Sequence, residues 1–400
     1  MSGQEAVRRV LQVHTRYRQA GGEDRAVGAE RRLLEAAGVG VRQLLFDNAD
    51  LRESRSPLDD LSLAAAAIWS REAARRVADA IRADRPDVVH VHNTFAAASP
   101  SVYRAAARLG VPVVQTLHNY RLVCPAATLF RDGHPCTDCV QAWLPAPAVI
   151  HACVRGSRSQ SLVAAATIGI HRRIGTFADR IDRYVALTTF QRRFLVEAGL
   201  PDTRVHVIPN FLEPDPGAGQ GSRSGVLFVG RLSIEKGIDC LLAAASRPAI
   251  SGLLDVAGDG PLASQVAERG TAGLVRYLGP LAGDEVARRM RSALALLVPS
   301  IWYEGFPMVV LEAYAAGTPV IAARIGSLEE LIEDGETGLL VTPGDPVDLA
   351  RAIRWAVDHP GEMAGMGAAA RRRYENRYRG PDHLAALLDV YASTSAAPRR

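Results

Sequence analysis

The chain has 400 residues and 42.9 kDa, 48% of them hydrophobic and 22% charged, which leaves no room for a large disordered tract and points to two domains of roughly 200 residues each. Its net charge of +4 is uneven: residues 1–212 hold 28 Arg against 20 acidic side chains (+8), and the remainder 19 basic against 23 acidic (−4), a split that suits a first half meeting an anionic substrate or membrane face as well as an Arg-rich solvated surface. No arginine block is long or aromatic-interleaved enough for nucleic acid, the N-terminus lacks a secretory h-region, and the alanine-rich runs around Leu61–Trp69 and Leu162–Ile170 fall short of the ~20 residues of a spanning helix, so the expectation is a cytoplasmic protein whose membrane contact, at the inner face, is confined to its surface.

In chain order, β-rich runs alternate with helical patterns: VLQVHT (10–15), a helix over about 23–37, VRQLLF (41–46), a helix over about 61–83, DVVHVHN (87–93), a short helix after Pro100, and VPVVQTLHN (111–119). The runs are apolar on both faces, as buried parallel strands are. A Cys-, Pro- and Gly-containing insertion interrupts the pattern at 120–156. It resumes with a helix near 157–178, YVALTT and VHVIPNF, and then breaks again at 213–225, "EPDPGAGQGSRSG", a linker by composition. A second series follows: VLFVG from Val226, a helix from Lys236, LLDVAGDG, VRYLG, ALLVPS, a helix from Met308, PVIAA and GLLVT. The helical HLAALLDVYAS closes the chain at 383–393. The expected fold is α/β, two Rossmann-like doubly wound parallel-sheet domains (1–212 and 226–382) whose carboxyl edges face each other across a cleft, the default ligand site of open α/β sheets.

Three strand ends in the second half carry chemistry. Gly230-Arg231 followed by Lys236-Gly237, the latter holding the one lysine of the chain, supplies two cations, the Arg as a planar fork and the Lys as a compact charge. Gly258-Asp259-Gly260-Pro261 lets backbone come close to a ligand. In Pro299-Ser-Ile-Trp-Tyr-Glu304-Gly305-Phe306-Pro307-Met308-Val-Val-Leu-Glu312 two carboxylates stand eight residues apart, the first in a loop and the second inside a helix that Pro307 begins. That helix end favours an anion such as phosphate. Gly21-Gly22 forms a glycine turn after the first strand. Neither a strict dinucleotide loop nor a Walker loop is present.

Together these pieces resemble the retaining glycosyltransferases of family 4, which have the two-domain GT-B fold. The resemblance spans nearly the whole chain: the GG turn, His118-Asn119, Ile208-Pro209-Asn210, the Gly-Arg…Lys-Gly segment, GDGP, the Glu304/Glu312 pair and ETGLLV at 336–341. It implies that Arg231 and Lys236 hold the diphosphate of a nucleotide-sugar donor, Glu312 accepts from the ribose hydroxyls, and Glu304 with Gly305, Phe306, Pro307 and Met308 holds the sugar. It further implies that His118 lies beside the transferred sugar, that Gly22 offers its N–H to phosphate, and that Gly258, Asp259 and Gly260 border the base. Gly230 and Asn210 complete the donor set, and the last helix crosses back onto the first domain. No two aspartates are separated by a single residue, so the D-x-D that holds a divalent metal in other glycosyltransferases is missing and the two cations stand in for it. Expected partners are a UDP- or GDP-sugar, UDP being the commoner donor in the family, and a saccharide, lipid-linked or small-molecule acceptor on residues 1–212. No catalytic cofactor is expected. A sugar-nucleotide epimerase on this fold and an inactive nucleotide-sugar-binding protein are the alternatives.

Cys124, Cys136, Cys139 and Cys153 lie in the insertion, and one C-x(2)-C pair with two flanking cysteines suits either a structural four-thiolate zinc or free or redox-active thiols. Cys240 sits alone in a helical pattern as a small core residue. His90 and His92 share one strand face, as a packed or acceptor-facing pair or as metal ligands. The stretch Ile168, His171, Arg172, Arg173, Ile174, Phe177 suits a helix face packed on the domain or resting on an anionic membrane.

Overall fold

A computed structural model describes residues 7–16, 21–48 and 56–395, which fall into two units. The first comprises the described residues within Met1–Leu129, Thr137–Asn210 and Pro381–Arg400, and the second Phe130–Cys136 and Phe211–Gly380. The first unit is built on a parallel sheet of β1 (Arg9–Arg16), β2 (Gly40–Asp47), β3 (Val88–Asn93) and β4 (Val113–Leu117). A two-stranded hairpin, β5 (Phe130–Arg131) and β6 (His134–Pro135), interrupts it before β7 (Arg183–Ala186) and β8 (Val205–Val207). The sheet order is β2-β1-β3-β4-β7-β8. The second unit's sheet, β9 (Val226–Val229), β10 (Leu254–Ala257), β11 (Arg276–Gly279), β12 (Ala295–Val298), β13 (Val320–Ala323) and β14 (Gly338–Val341), runs β11-β10-β9-β12-β13-β14. Both sheets are parallel throughout and doubly wound. In each the strand order reverses beside the first strand, between β1 and β3 and between β9 and β12, and ligands of open α/β sheets bind at the carboxyl side of such a point.

The helices start where the sequence supplies caps. Ser70, Ser157, Thr188 and Asp345 each accept a first-turn backbone N–H. Three expected helices end or begin differently. The stretch 61–83 is two helices, Pro57–Ile68 and Arg71–Asp84, because Ser70 Oγ takes the Ala73 N–H at 3.1 Å while Trp69, extended, stacks on His171 with ring centroids 5.7 Å apart. The stretch 157–178 divides into Arg158–Arg173 and Thr176–Asp179 at Gly175, whose φ of 69° is left-handed. Lys236 belongs to a 3-10 turn, Ile234–Lys236, and the helix proper is Ile238–Ala245.

The core of the first unit gathers Val10, Leu34, Val88, Val114, Val185 and Ile208 with Leu387, Val390 and Tyr391 of the last helix, Gly380–Ser395. Residues 213–225 are tied to the second unit. The Arg223 guanidinium donates to the carbonyls of Ala293 (3.2 Å) and Ala316 (2.7 Å), and Asp215 and Arg371 form a two-pronged ion pair. A glycine-rich composition allows this close seating: a Cβ at Gly219 would stand 2.1 Å from the Arg291 carbonyl oxygen. Among the described residues no helix is long and apolar enough to cross a membrane.

Candidate active site

In the second unit the predicted residues collect at the reversal point. β9 ends at Val229 and leads through Gly230 into Arg231, and β12 ends at Val298 and leads through Pro299 into Glu304. The two loops are locked together. The Ile301 N–H donates to the Glu235 carbonyl (3.0 Å), and Gly237, with φ 74°, lies so close to Pro299 that a Cβ there would be 2.0 Å from the Pro299 oxygen. That approach delivers Lys236 to Glu304. The ammonium donates to Glu304 Oε1 at 2.6 Å and lies 5.4 Å from the Trp302 ring centroid. The carboxylate is 5% exposed and also accepts from Ser300 Oγ (2.8 Å), while Ser327 Oγ holds the Glu304 and Gly305 carbonyls at 2.7 and 3.1 Å. Ser300, Trp302 and Ser327 escaped the sequence reading, although Ser300 and Trp302 lie inside its richest motif.

Arg231 is exposed and makes no hydrogen bond or ion pair among the described residues. The neighbouring Gly258–Gly260 loop is zipped to it. The Leu232 N–H donates to the Asp259 carbonyl at 2.8 Å, and a Cβ would stand 1.9 Å from the Gly230 oxygen at Gly258 and 2.5 Å from the Leu232 oxygen at Gly260. These glycines therefore answer first to loop-on-loop packing. Phe306 is buried edge-on to Tyr378, Pro307 precedes the helix Met308–Ala315, and Glu312 is half-buried within it. One unit thus sets a free cation, a held cation, a buried carboxylate and a helix start along the edge of one sheet.

In the first unit Gly22 opens the helix Gly22–Ala36 after β1, His118 follows β4, and Asn210, 7% exposed, follows β8. His90 and His92 do share a face of β3, with ring centroids 4.2 Å apart, and they meet a carboxylate that the sequence reading passed over. Glu30 Oε1 accepts from Gln12 Nε2 at 2.8 Å and lies 3.0 Å from His90 Nδ1 and 3.3 Å from His92 Nε2, while Oε2 lies 3.5 Å from His383 Nε2. The signal was an acid on the apolar stripe Val27/Glu30/Leu34 of its helix, at helical spacing. Tyr391 OH contacts His90 Nδ1 at 2.7 Å and Thr116 Oγ1 contacts its Nε2 at 2.8 Å. His92 Nδ1 in turn lies 3.1 Å from His118 Nε2. His14 Nε2 bonds Asp24 Oδ1 at 2.8 Å, whose other oxygen accepts the Gly21 N–H at 2.9 Å, so the glycine turn joins the same system.

Burial opposes ionisation of Glu30, yet the surrounding imidazoles outweigh it and hold the carboxyl well below its ordinary range. Burial pushes His92 down to about 4 and His118 well below the usual imidazole value, so both rings are neutral at pH 7.

No group of three or more candidate metal ligands among the described residues contains a cysteine. Among the described residues the one group of three or more candidate ligands is Glu30, His90 and His92, and all five cysteines are thiols. Cys139 is buried with its Sγ 3.9 Å from the Pro145 carbonyl. On the basic helix Arg172 and His171 turn inward while Arg173 and Ile174 are exposed: Arg172 donates to the Leu122 and Val140 carbonyls (3.0 and 3.3 Å), and His171 is fully buried, bonding Thr176 Oγ1 and the Ile68 carbonyl.

Two family models match the chain, "Glycosyltransferase Family 4" over residues 20–216 and "Glycosyl transferases group 1" over residues 219–373. The chain is 32% identical to a D-inositol 3-phosphate glycosyltransferase of Streptomyces avermitilis, over 78% of this chain and 67% of that protein. It is 30% identical to a glycogen synthase of Mycobacterium tuberculosis, over 80% and 72%. Among solved structures it is similar to a sucrose-phosphate synthase from Thermosynechococcus elongatus (TM-score 0.69, 18% identity, 98% and 100% of the two chains). It is also similar to HepE of Anabaena in complex with UDP and glucose (TM-score 0.67, 19% identity, 96% and 100%).

Proposed function

The chain belongs to glycosyltransferase family 4 and has the GT-B fold, and on that premise we propose that it transfers a sugar from a nucleotide diphosphate donor, UDP-linked by preference, with retention of configuration and without a catalytic metal. The observation that carries this reading is the pairing, at one sheet edge, of Arg231, which has no partner among the described residues, with Lys236, which is held by buried Glu304. Breaking a glycosyl–phosphate bond builds negative charge on the departing diphosphate. Prearranged cations matter most when that charge peaks, in the transition state. Arg231 supplies a fork for phosphate oxygens, and the Glu304 contact limits the rotamers of Lys236 so that little entropy is lost when the anion arrives. Glu304 and the backbone of Gly305–Met308 then receive the sugar, and Glu312 the ribose. The first unit supplies the acceptor surface, suited by its positive charge to an anionic or lipid-linked acceptor, and contributes His118 to the transferred sugar. The UDP preference is supported by the bound UDP of HepE.

A thermal-shift screen of nucleotide sugars tests the donor, since a ligand at 100 times its Kd stabilises the folded state by about 2.7 kcal/mol. Stabilisation by a UDP-sugar and UDP release on adding an acceptor are expected. Tight binding without turnover would instead assign a binding protein, and an isomeric nucleotide sugar formed without acceptor would assign an epimerase.

A further inference from the structure

We propose that Glu30 and His92 are positioning residues that lock His118 in a single neutral tautomer, with the proton on Nε2 and the lone pair on Nδ1 offered outward as an acceptor. The inference rests on the role proposed above for His118 and follows from proton bookkeeping along one buried line. Gln43 Nε2 donates to Gln12 Oε1 (3.0 Å), which fixes the Gln12 amide with its NH2 toward Glu30. Glu30 therefore sits as a carboxylate at the head of the line and accepts only. His92 Nε2 lies 3.3 Å from Glu30 Oε1, a charge contact too poorly aligned for a full hydrogen bond, and this carboxylate is the one acceptor paired with that nitrogen among the described residues, so the proton of the neutral ring is favoured on Nε2. A neutral imidazole has one N–H, so His92 Nδ1 is an acceptor. His118 Nε2, 3.1 Å away, must then be the donor, and its Nδ1 is left unprotonated. His118 is half-buried, with its ring stacked on His92 at a centroid distance of 5.3 Å, whereas Glu30 and His92 are 5% and 3% exposed.

The same carboxylate, His90 and His92 have the spacing of metal ligands, but Tyr391 and Thr116 occupy both nitrogens of His90, and Gln12 already donates to one oxygen of Glu30. The group is a hydrogen-bond line that ties the last helix to His118. Its consequence is chemical: His118 can accept a hydrogen bond from a hydroxyl at Nδ1 and cannot donate one there.

The test uses the full-length enzyme labelled with 15N-histidine, with His118 assigned by its loss in His118→Asn. Long-range 1H–15N correlation spectra should show a single Nε2-protonated tautomer for His118 in the wild type. His92→Phe keeps a ring in the space but removes the acceptor; it should give mixed tautomers and lower kcat by about 10- to 100-fold at unchanged donor KM. His92→Asn, whose Oδ1 can replace Nδ1, should restore the tautomer and most of kcat. A wild-type His118 protonated on Nδ1 would overturn the proposal, as would wild-type turnover in His92→Phe, an Asn variant no better than Phe, or one equivalent of metal lost on Glu30→Gln. If no nucleotide sugar turns over, the spectra alone still decide the tautomer, so failure of the functional reading is distinguishable from failure of this one.

Discussion

Lys236→Ala separates the two parts played by the one lysine of the chain. In the folded protein the ammonium donates to Glu304 Oε1 at 2.6 Å, and its side chain is 26% exposed against 6% for its partner. Truncation removes one charge-assisted hydrogen bond, a loss of about 1.5–3 kcal/mol, toward the lower end because solvent reaches the lysine and Ser300 still donates to the carboxylate at 2.8 Å. For a unit of this size each kcal/mol lowers the melting temperature by roughly 2–4 °C, so a drop of roughly 3–8 °C is expected and the variant stays folded at assay temperature. Catalysis should suffer more. Loss of a preorganised cation facing the leaving diphosphate costs about 2–4 kcal/mol of transition-state stabilisation, or roughly 10²–10³ in kcat/KM, read by UDP release at 25 °C beside a melting curve on the same sample. Lys236→Arg keeps the charge but not the compact geometry and should recover only part of the rate. A folded Lys236→Ala enzyme within about threefold of wild-type kcat/KM refutes the diphosphate role.

Gly237→Ala places a Cβ 2.0 Å from the Pro299 oxygen at a φ of 74°, so it should lower the urea midpoint by the equivalent of more than ~2 kcal/mol, whereas Gly21→Ala, with nothing within 4 Å of its Cβ, should stay within about 0.5 kcal/mol. Leu387→Ala in the last helix opens a void in the first unit's core and should cost about 2–5 kcal/mol by denaturant unfolding. His92 is held down to about 4, while an unfolded histidine titrates near 6.5, so the unfolded chain binds the extra proton and stability is lost as pH falls from about 6.5 to about 4. The loss from this ring is on the order of 3 kcal/mol, and Glu30, whose depressed carboxyl is stabilising above its unfolded value, adds to it below about 4.5. A flat unfolding free energy between pH 7 and 5, or a slope unchanged by His92→Asn, contradicts this. Metal analysis should find well below one equivalent of zinc, and a chelator should leave the melting temperature unchanged.

The sequence by itself determined the alternation of buried strands and helices in two series, the parallel doubly wound class that follows from it, and the motifs that gather at one edge of the second unit's sheet. Those features are written in local patterns, such as apolar runs like VLFV and ALLV, caps such as Asp345, and loop motifs that follow directly on strand ends. Helix breaks at Ser70 and Gly175 were less legible because a side-chain cap and a left-handed glycine decided them against a continuous helical periodicity. Composition marks residues 213–225 as a linker but is silent on how they are seated, since glycine and proline denote either looseness or close packing, and the bonds of Arg223 and Asp215 tie the segment to the second unit. The tertiary structure alone decided the rest. Lys236 and Glu304, 68 residues apart, are joined by the Gly237–Pro299 approach. Glu30, which reads as an exception on an apolar stripe, becomes the head of a line through His92 to His118 because a helix, three strands and the last helix converge on one face of the sheet. The four cysteines, close enough in sequence to suggest a metal, enter no group of three or more candidate ligands among the described residues. Proximity across the sheet is a property of the packed chain, and spacing along the sequence does not encode it.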